Sequence, residues 1–310
     1  MGKIAGLGGA NLDVHGKSSS PIIMRDSNPG SLHTSMGGVM RNILDNANRL
    51  GLDVLIATLV GDDTYGKILR QGCQEMGMDT RLMKTIPGQV SSSYVSIMDN
   101  EGDMLVAISD MSILKKMDRA YVEECLPFFN QCDLVVCDGN LCNADPSCLE
   151  ALVEGCEKPL YMDPVSTAWA KKMLPYLSRF DTIKPNRLEM EILSGMQIQT
   201  VEDLDAACDR LLDLGVRRIF TSLGKDGIYY KDAQGAIWGR SHGFNQLANA
   251  TGAGDATMAG ILYATQEGMD REETIHYALA AGIAAIMSPD TINTQMSPRL
   301  LNSIVKEYVL

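Results

Sequence analysis

The chain has 310 residues, a formal net charge of −12 and a hydrophobic content of 45%. This length allows one large domain that buries about three quarters of the surface of its unfolded chain. The excess of negative charge argues against a long polyanion, and therefore against nucleic acid, as the partner. It leaves open a small phosphate ligand held by local backbone amides.

Neither a membrane span nor a signal peptide is expected from the sequence. No apolar run approaches the ~18 residues that a spanning helix needs, and the first residues are mostly glycines with one lysine. The eight cysteines form no C-x-x-C pair, and no histidine lies at ligand spacing from them. A metal cluster or a disulfide framework is therefore not expected, and buried thiols in a reducing cytoplasm are the simpler interpretation.

Strand-like apolar runs alternate with helical patterns along most of the chain. Val39, Ile43, Leu44, Ala47 and Leu50 share one helical face that ends at Gly51, and a second helix is predicted over 64–76. Such alternation predicts an α/β fold with a mainly parallel central sheet. The predicted strands lie within 3–8, 54–61, 133–139, 160–164, 181–186 and 217–224.

Two segments interrupt this alternation. The first is rich in Ser, Pro and Gly, and the second alternates like antiparallel strands. We expect one domain over 1–310, in which about 12–36 and 88–111 form a small β flap over the carboxyl ends of the sheet. The alternative is a surface hairpin with a loose loop. A later hairpin is predicted with its turn at 233–235.

Two glycine motifs are incomplete. "GLGGAN" (6–11) begins like a dinucleotide fingerprint but has Asn11 in place of the third glycine. "GDDTYGKI" (61–68) has phosphate-loop spacing but ends without a hydroxyl, and Asp62 and Asp63 would repel phosphate. We interpret the second motif as a strand-to-helix turn with an acidic helix start.

The stretch "NATGAGDATMAG" (249–260) predicts an anion site. Gly252, Ala253 and Gly254 can present backbone N–H groups to a ligand at a helix start. Asp255 is either a helix cap or a base that takes the proton of an attacking hydroxyl while the amides stabilise a phosphoryl group. The helix terminus is expected to keep this carboxylate ionised at neutral pH.

Three further patterns each have a plain alternative. Asn186 and Glu189 in "KPNRLE" form a capping box or face a magnesium–triphosphate through water. Ser222 opens "SLGKDG", which presents glycines to phosphates or is an ordinary turn. Asn11 and Asp13 share a strand face and, with a glycine pair and a helix, could bind vicinal sugar hydroxyls; the alternative is an Asx-turn and a plain helix start.

In this order, the motifs resemble those of the ribokinase-like (phosphofructokinase B type) carbohydrate kinases over essentially the whole chain. "GGVMRN" (37–42) resembles the family's first signature, and "NATGAGDATMAG" resembles its second, highly specific one. The resemblance implies a three-layer α/β/α fold with a small β lid that often mediates a homodimer. It also implies transfer of the γ-phosphoryl group of ATP, with Mg²⁺, to the 5′-hydroxyl of a nucleoside in the cytoplasm.

The resemblance also assigns roles to residues. Asp255 would be the catalytic base, with Gly252, Ala253 and Gly254 as the anion hole. Met40 departs from the small residue usual at its place. Ribose would be bound by Asn11, Asp13, Gly37, Gly38 and Asn42, and magnesium by Asn186 and Glu189. The nucleotide would be bound by Asn186, Ser222, Gly224, Gly227, Thr251, Gly252, Gly254 and Asn293. Potassium would be held by Asn249, Thr251 and Ser288, and Ser27, Asp110 and Asn140 are candidates for binding the base by placement only.

Other functions stay open at this stage. The acceptor could be another nucleoside or a sugar, such as uridine, inosine or ribose. A non-catalytic nucleotide- or sugar-binding regulator is less consistent with an intact Asp255 beside an intact small-residue loop, because a regulator needs no base. A dinucleotide-dependent oxidoreductase is disfavoured by the missing third glycine.

Overall fold

The computed structural model describes residues 2–242 and 250–309. Nine of the described strands form a large sheet and four form a small sheet. The large sheet contains β1 (Lys3–Leu7), β4 (Asp53–Gly61), β5 (Asp79–Ile86), β8 (Leu134–Asp138), β9 (Leu160–Asp163), β10 (Thr182–Ile183), β11 (Arg218–Ser222), β12 (Ile228–Asp232) and β13 (Gly235–Gly239). The small sheet contains β2 (Asn11–Ser18), β3 (Gly30–Gly37), β6 (Ser93–Met98) and β7 (Met104–Asp110).

The large sheet has the order β13-β12-β11-β10-β9-β8-β1-β4-β5. Every neighbouring pair from β5 to β11 is parallel. β12 and β13 continue the sheet as an antiparallel hairpin in which Asp232 pairs with Gly235. The predicted mainly parallel sheet and the predicted late hairpin are therefore confirmed.

Helices cover both faces of the large sheet. Alternate residues of a strand point to opposite faces, so Ile4 and Ala5 of β1 belong to two different apolar clusters. Residues of α1, α2, α8, α9 and α10 pack in one cluster, and residues of α3 to α7 pack in the other, which gives the predicted three layers. The helices are α1 (Val39–Arg49), α2 (Thr64–Glu75), α3 (Arg119–Phe129), α4 (Pro146–Gly155), α5 (Thr167–Met173), α6 (Arg187–Ser194), α7 (Val201–Asp213), α8 (Ala253–Gln266), α9 (Arg271–Ile286) and α10 (Pro298–Tyr308).

The two helices predicted from periodicity are present. α1 and α2 are followed by Gly51 and Gly77 with φ of 92° and 85°, a backbone region that glycine adopts without steric cost. Asp63 precedes α2, and its carboxylate accepts the N–H of Gly66 at 2.8 Å. The incomplete phosphate-loop motif is therefore an acidic helix start, as predicted.

The small sheet has the order β3-β2-β6-β7. Directly paired residues point to the same face of a sheet, and Val14, Val95 and Ile108 pair in a row across three strands. This face is apolar and open, since Leu32, Val106 and Ile108 are 77%, 54% and 69% exposed.

Among the helices that the structure describes, none is both long and apolar enough to cross a membrane.

Candidate active site

The carboxyl ends of the central parallel strands meet at one edge of the large sheet. β1 is followed by Gly8 and Gly9, β8 ends at Asp138, β9 ends at Asp163, and Lys184 follows β10. This edge is where open α/β sheets bind their ligands. Adjacent strand ends thus bring together two acids, one lysine and a glycine pair that are far apart in the chain.

The start of α8 needs glycine for a steric reason. Gly252 has a φ of 81°, and a Cβ at this position would lie 2.4 Å from the carbonyl oxygen of Thr291. Ala253 opens the helix, and a Cβ on Gly254 would lie 3.5 Å from Nζ of Lys184. The start of α8 therefore lies beside a lysine, which is an arrangement suited to an anion, although the N–H of Ala253 donates to the carbonyl of Ala250 at 3.4 Å.

Asp255 lies in the first turn of α8, but the helix-cap interpretation of it is wrong. The cap position is Gly252, and no side chain caps this helix. Instead, Oδ2 of Asp255 accepts a hydrogen bond of 2.8 Å from Nδ2 of Asn42. The carboxyl group of Asp255 is thus held by α1 and faces the strand ends.

Burial raises the pKa of Asp255 to about 7. The neighbouring charge of Asp163 raises it further, whereas the Asn42 hydrogen bond and the Lys184 charge lower it. The expectation that the helix terminus keeps this group fully ionised at neutral pH is corrected, because desolvation outweighs the favourable donors. A carboxyl group with a pKa near the working pH is suited to general base catalysis.

Asp163 and Lys184 form a buried ion pair. Their Oδ2 and Nζ atoms are 3.0 Å apart, and the side chains are 7% and 5% exposed. Burial alone would lower the pKa of Lys184, but Asp163 and further carboxylates outweigh burial and raise it. The lysine thus remains a fixed positive charge next to Gly254.

Asp138 binds the loop after β1 to the start of α1. Its Oδ2 accepts the backbone N–H groups of Gly9 and Met40 at 3.2 and 3.0 Å, and its Oδ1 accepts that of Asn140 at 2.9 Å. Burial raises the pKa of Asp138 to about 7 despite these donors. A Cβ on Gly8 would lie 2.5 Å from Oδ2 of Asp138, whereas a Cβ on Gly9 would meet no atom closer than 3.4 Å, so Gly8 of "GLGGAN" is needed for packing.

The residues predicted to bind the sugar lie where β2, β3 and α1 meet. Asn11 pairs with Gly37 across the strands, and its Nδ2 donates to Oδ1 of Asp13 at 2.5 Å. Gly38 has a φ of 98°, and a Cβ there would lie 2.6 Å from Cα of Ala10. Burial raises the pKa of Asp13. These groups and Asn42 form one polar region at the base of the small sheet.

Met40 lies outside this polar region. Its side chain is fully buried, and its sulfur would be 2.5 Å from a Cβ on Gly6 of β1. The departure from a small residue at this place therefore changes the core under α1 and not the surface that faces a sugar.

Asn186 and Glu189 form the capping box of α6. The Asn186 side chain accepts the N–H of Glu189 at 3.0 Å, and the Glu189 carboxylate accepts the N–H of Asn186 at 2.9 Å. Burial raises the pKa of Glu189. A carboxylate and an amide oxygen at this edge fit a hydrated magnesium ion, but the magnesium role stays a prediction.

A cleft of about 740 Å³ continues from the capping box. Asn186 and Ser222 are neighbours there through a parallel β-bridge. Gly224 has a φ of 60° and open space around it, whereas a Cβ on Gly227 would lie 2.1 Å from the carbonyl oxygen of Gly239. Lining residues include Asn186, Arg187, Ser222, Gly224, Lys225, Trp238 and Arg240. Its basic side chains, beside the acid Asp226, give this cleft a charge that suits phosphates in an otherwise acidic chain.

The loop after α9 lies against the start of α8, because Gly252 contacts Thr291. Ser288 accepts the N–H of Asp290 at 3.1 Å. Asn293 donates to the carbonyl of Ala284 at 2.6 Å and accepts the N–H of Gln295 at 2.9 Å. The amide of Asn293 thus shapes the loop itself. Thr251 adjoins Gly252 in sequence, and Asn249 lies outside the described residues.

The three candidates for the nucleobase lie on different elements, and no hydrogen bond joins them to one another. Ser27 is exposed in the turn between β2 and β3, and its N–H bonds to Asp26. Asp110 is exposed at the end of β7 and accepts the N–H of Ser112 at 2.9 Å. Asp110 nevertheless lies at the base of the small sheet, where it pairs with Ser93, and Asn140 is near the strand ends, with its Nδ2 3.4 Å from the Cβ position of Gly9.

Sequence reasoning missed Asp138, Asp163 and Lys184 as site residues. Each one ends or follows a predicted strand, as "VVCD", "LYMD" and "DTIK" show. A charged residue directly after a buried apolar run was therefore the available signal. In residues 2–242 and 250–309, no three His, Cys, Asp or Glu side chains are grouped to hold a metal.

This fold, with an acid at a glycine-rich helix start on the carboxyl edge of the sheet, indicates a phosphotransferase that acts on a hydroxyl group. The chain belongs to the pfkB family of carbohydrate kinases, whose family model matches residues 1–298. It is 34% identical to the pseudouridine kinase of Escherichia coli over 97% of this chain and 95% of that one.

Solved structures with the same fold include two kinases. One is a carbohydrate kinase from Agrobacterium tumefaciens, 25% identical, with a TM-score of 0.86 over 100% of both chains. The other is the ribokinase of Arabidopsis thaliana complexed with ribose and ATP, 19% identical, with a TM-score of 0.85 over 98% of this chain and 99% of that one.

Proposed function

We propose that this protein is an ATP-dependent pseudouridine kinase that converts pseudouridine and ATP to pseudouridine 5′-phosphate and ADP. The observation that carries the proposal is the place of Asp255. Its carboxyl lies at the start of α8 and is bound by Asn42 of the polar region predicted to bind the sugar. The similarity to the pseudouridine kinase of Escherichia coli over nearly the whole chain supports the choice of substrate.

In the proposed reaction, the 5′-oxygen attacks the γ-phosphorus, the bond from that phosphorus to the bridging oxygen of ADP breaks, and the hydroxyl proton passes to Asp255. Oδ2 already accepts the N–H of Asn42, so we assign the proton to Oδ1, the more basic of the two oxygens in this arrangement. The amides of Gly252, Ala253 and Gly254 stabilise the charge on the transferring group, and one such donor contributes about 3–4 kcal/mol. Positioning the two reactants contributes up to about 7–11 kcal/mol.

ATP would lie along the cleft, with its phosphates near Ser222, Gly224 and Gly227 and its far end towards the loop that carries Asn293. Asn186 and Glu189 would hold the magnesium ion through water, and bound magnesium neutralises charge that develops on the phosphates. A potassium ion held near Thr251 and Ser288 is part of the proposal. Its support is the contact between Gly252 and Thr291, which brings these two segments together.

The small sheet would act as a lid that excludes water from the reacting groups. Its open apolar face, with Leu32, Val106 and Ile108 exposed, supports a homodimer that forms through this sheet, because contiguous exposed apolar surface marks interaction sites.

All eight cysteines are free, which supports a reducing, cytoplasmic setting.

The test is release of ADP by the purified protein with magnesium-ATP and potassium, with pseudouridine, uridine, inosine and ribose as acceptors. We expect the highest kcat/KM with pseudouridine. Preference for another acceptor would replace the substrate and keep the mechanism. Folded protein that releases no acceptor-dependent ADP across this panel would contradict the proposal and favour a binding protein on this scaffold.

A further inference from the structure

Arg41 is a buried arginine of α1, only 2% exposed, directly beside the candidate active site. Its Nη1 donates to Oδ2 of Asp45 at 2.9 Å. Its Nη2 donates to the carbonyl of Met36 at 2.7 Å and to Oδ1 of Asn42. The charge of Arg41 is thus paired by Asp45, and its second nitrogen contacts the residue that holds Asp255.

A guanidinium group has N–H donors and no acceptor. The atom of Asn42 that faces Arg41 must therefore be the amide oxygen, although oxygen and nitrogen of an amide have nearly the same shape. With the oxygen fixed, the amide nitrogen must point the other way, towards Asp255. The donor-only character of Arg41 thus decides which end of Asn42 the catalytic carboxyl meets.

This orientation matters for proton transfer. An amide N–H that donates to a carboxylate favours the ionised form. If the Asn42 amide were reversed, its oxygen would face Asp255 and would accept a hydrogen bond from the protonated carboxyl group. The reversed amide would therefore stabilise Asp255 in the form that cannot accept the proton of a hydroxyl.

We propose that Arg41 is a positioning residue of the phosphoryl transfer, which fixes the Asn42 amide so that Asp255 stays a proton acceptor. The proposal rests on the proposed kinase function. Arg41 itself does not touch Asp255 or the reacting groups in this arrangement. The other charged groups that act on Asp255 are Asp138, Asp163 and Lys184, and none of them is bound to Arg41.

The test compares Arg41→Met with Arg49→Met. Arg49 is a matched control because its Nε donates to the other oxygen of Asp45, at 2.7 Å, and it does not contact Asn42. Each variant leaves Asp45 with one arginine partner. We expect Arg41→Met to lower kcat about fivefold at pH 7 and less than about twofold at pH 9, since the pKa of Asp255 rises by roughly one unit.

The KM for ATP should stay within about twofold of wild type in both variants, and Arg49→Met should keep the wild-type pH profile. Arg41→Lys should recover part of the loss, because an ammonium can donate to Asn42 but lacks the fork that also reaches Asp45. An equal fall of kcat at every pH, or the same change in Arg49→Met, would show that Arg41 only stabilises the fold.

A second measurement needs no turnover. The side-chain amide signals of Asn42 in ¹⁵N NMR spectra, assigned by their loss in Asn42→Ala, should shift as wild-type Asp255 titrates near pH 7. This response should keep its midpoint near pH 7 in Arg49→Met and move to about pH 8 in Arg41→Met; an unchanged midpoint in a folded Arg41→Met overturns the proposal. A wild-type protein with this NMR response but no kinase activity would contradict the proposed function and leave the amide arrangement standing.

Discussion

Lys184 and Asp163 form a 3.0 Å ion pair between the ends of two neighbouring strands, with almost no exposed surface. The pair is adjacent to the first turn of α8, and its two members act on Asp255 in opposite directions: Lys184 lowers the pKa of Asp255 and Asp163 raises it. Loss of this ion pair should therefore affect both the stability of the protein and the pKa of Asp255.

We predict that Lys184→Met lowers the free energy of unfolding by about 3–5 kcal/mol, because it leaves a buried carboxylate without its partner. Urea unfolding at pH 7 measures this change. The double variant Lys184→Met/Asp163→Asn should regain a large part of the loss, since no uncompensated charge remains. A double variant as unstable as the single one would mean that packing, and not charge, dominates here.

Asp255→Asn should lower kcat about 10²–10⁴-fold, the usual contribution of a general base. ATP and nucleoside binding, followed by calorimetry, should change less than about threefold, because the amide keeps the size of the carboxyl. Glu272→Gln is the control, since Glu272 is an exposed first-turn acid of α9, and it should keep wild-type activity. Near-normal turnover by Asp255→Asn would remove the base assignment.

The pH profile follows from the pKa of about 7 for Asp255. The ionised form is the proton acceptor, so kcat should rise with pH and be about tenfold lower at pH 6 than at pH 8. Steady-state rates in constant-ionic-strength buffers measure this limb. A profile that is flat between pH 5.5 and 8 would place the base elsewhere.

The same pKa has a consequence for stability with a defined sign. A carboxyl whose pKa is raised on folding holds its proton in the native state while the unfolded chain loses it, so stability decreases as pH rises from about 4 to 7. Asp255→Asn removes this loss, so at pH 8 its free energy of unfolding should exceed that of wild type by about 1–3 kcal/mol. A higher melting temperature at pH 8 measures this difference. At pH 4 the two proteins should differ little.

Gly252→Ala should destabilise the protein by roughly 1–3 kcal/mol and lower kcat, because the new Cβ meets the carbonyl of Thr291 at 2.4 Å in a left-handed backbone conformation. Gly268→Ala is the control, since Gly268 has a φ of 69° but no atom within 4 Å of its Cβ position. That variant should show the backbone cost alone and keep its kcat. Equal kcat in both variants would show that the backbone amide of Gly252 does not contribute to catalysis.

Ile108→Lys tests the proposed dimer. A charge on the open apolar face of the small sheet should shift the protein from dimer to monomer in light scattering after size-exclusion chromatography. Leu214→Lys is the control, because Leu214 is 48% exposed at the end of α7, away from the small sheet. A wild-type protein that is monomeric at micromolar concentration, or an Ile108→Lys variant that remains dimeric, contradicts the proposed interface.

Local patterns were sufficient to predict the layered fold and several local features. The periodicity of α1, the acidic start of α2 and the capping box of Asn186 each depend on residues a few positions apart. The contacts among Asp138, Asp163 and Lys184 depend instead on β8, β9 and β10 lying side by side, which no local pattern contains. The pKa of Asp255 was misjudged for the same reason, because desolvation comes from distant segments and the helix terminus is only one local contribution.

One oxygen atom binds both chain segments that connect the β2–β3 hairpin to the rest of the fold. Oδ2 of Asp138 holds the N–H of Gly9, just before β2, and that of Met40, just after β3. The base of this hairpin is therefore anchored to the large sheet, while its turn is far from any such anchor. Displacement of the small sheet in solution should increase with distance from Asp138, so that Asn11 keeps its place and Ser27 travels furthest.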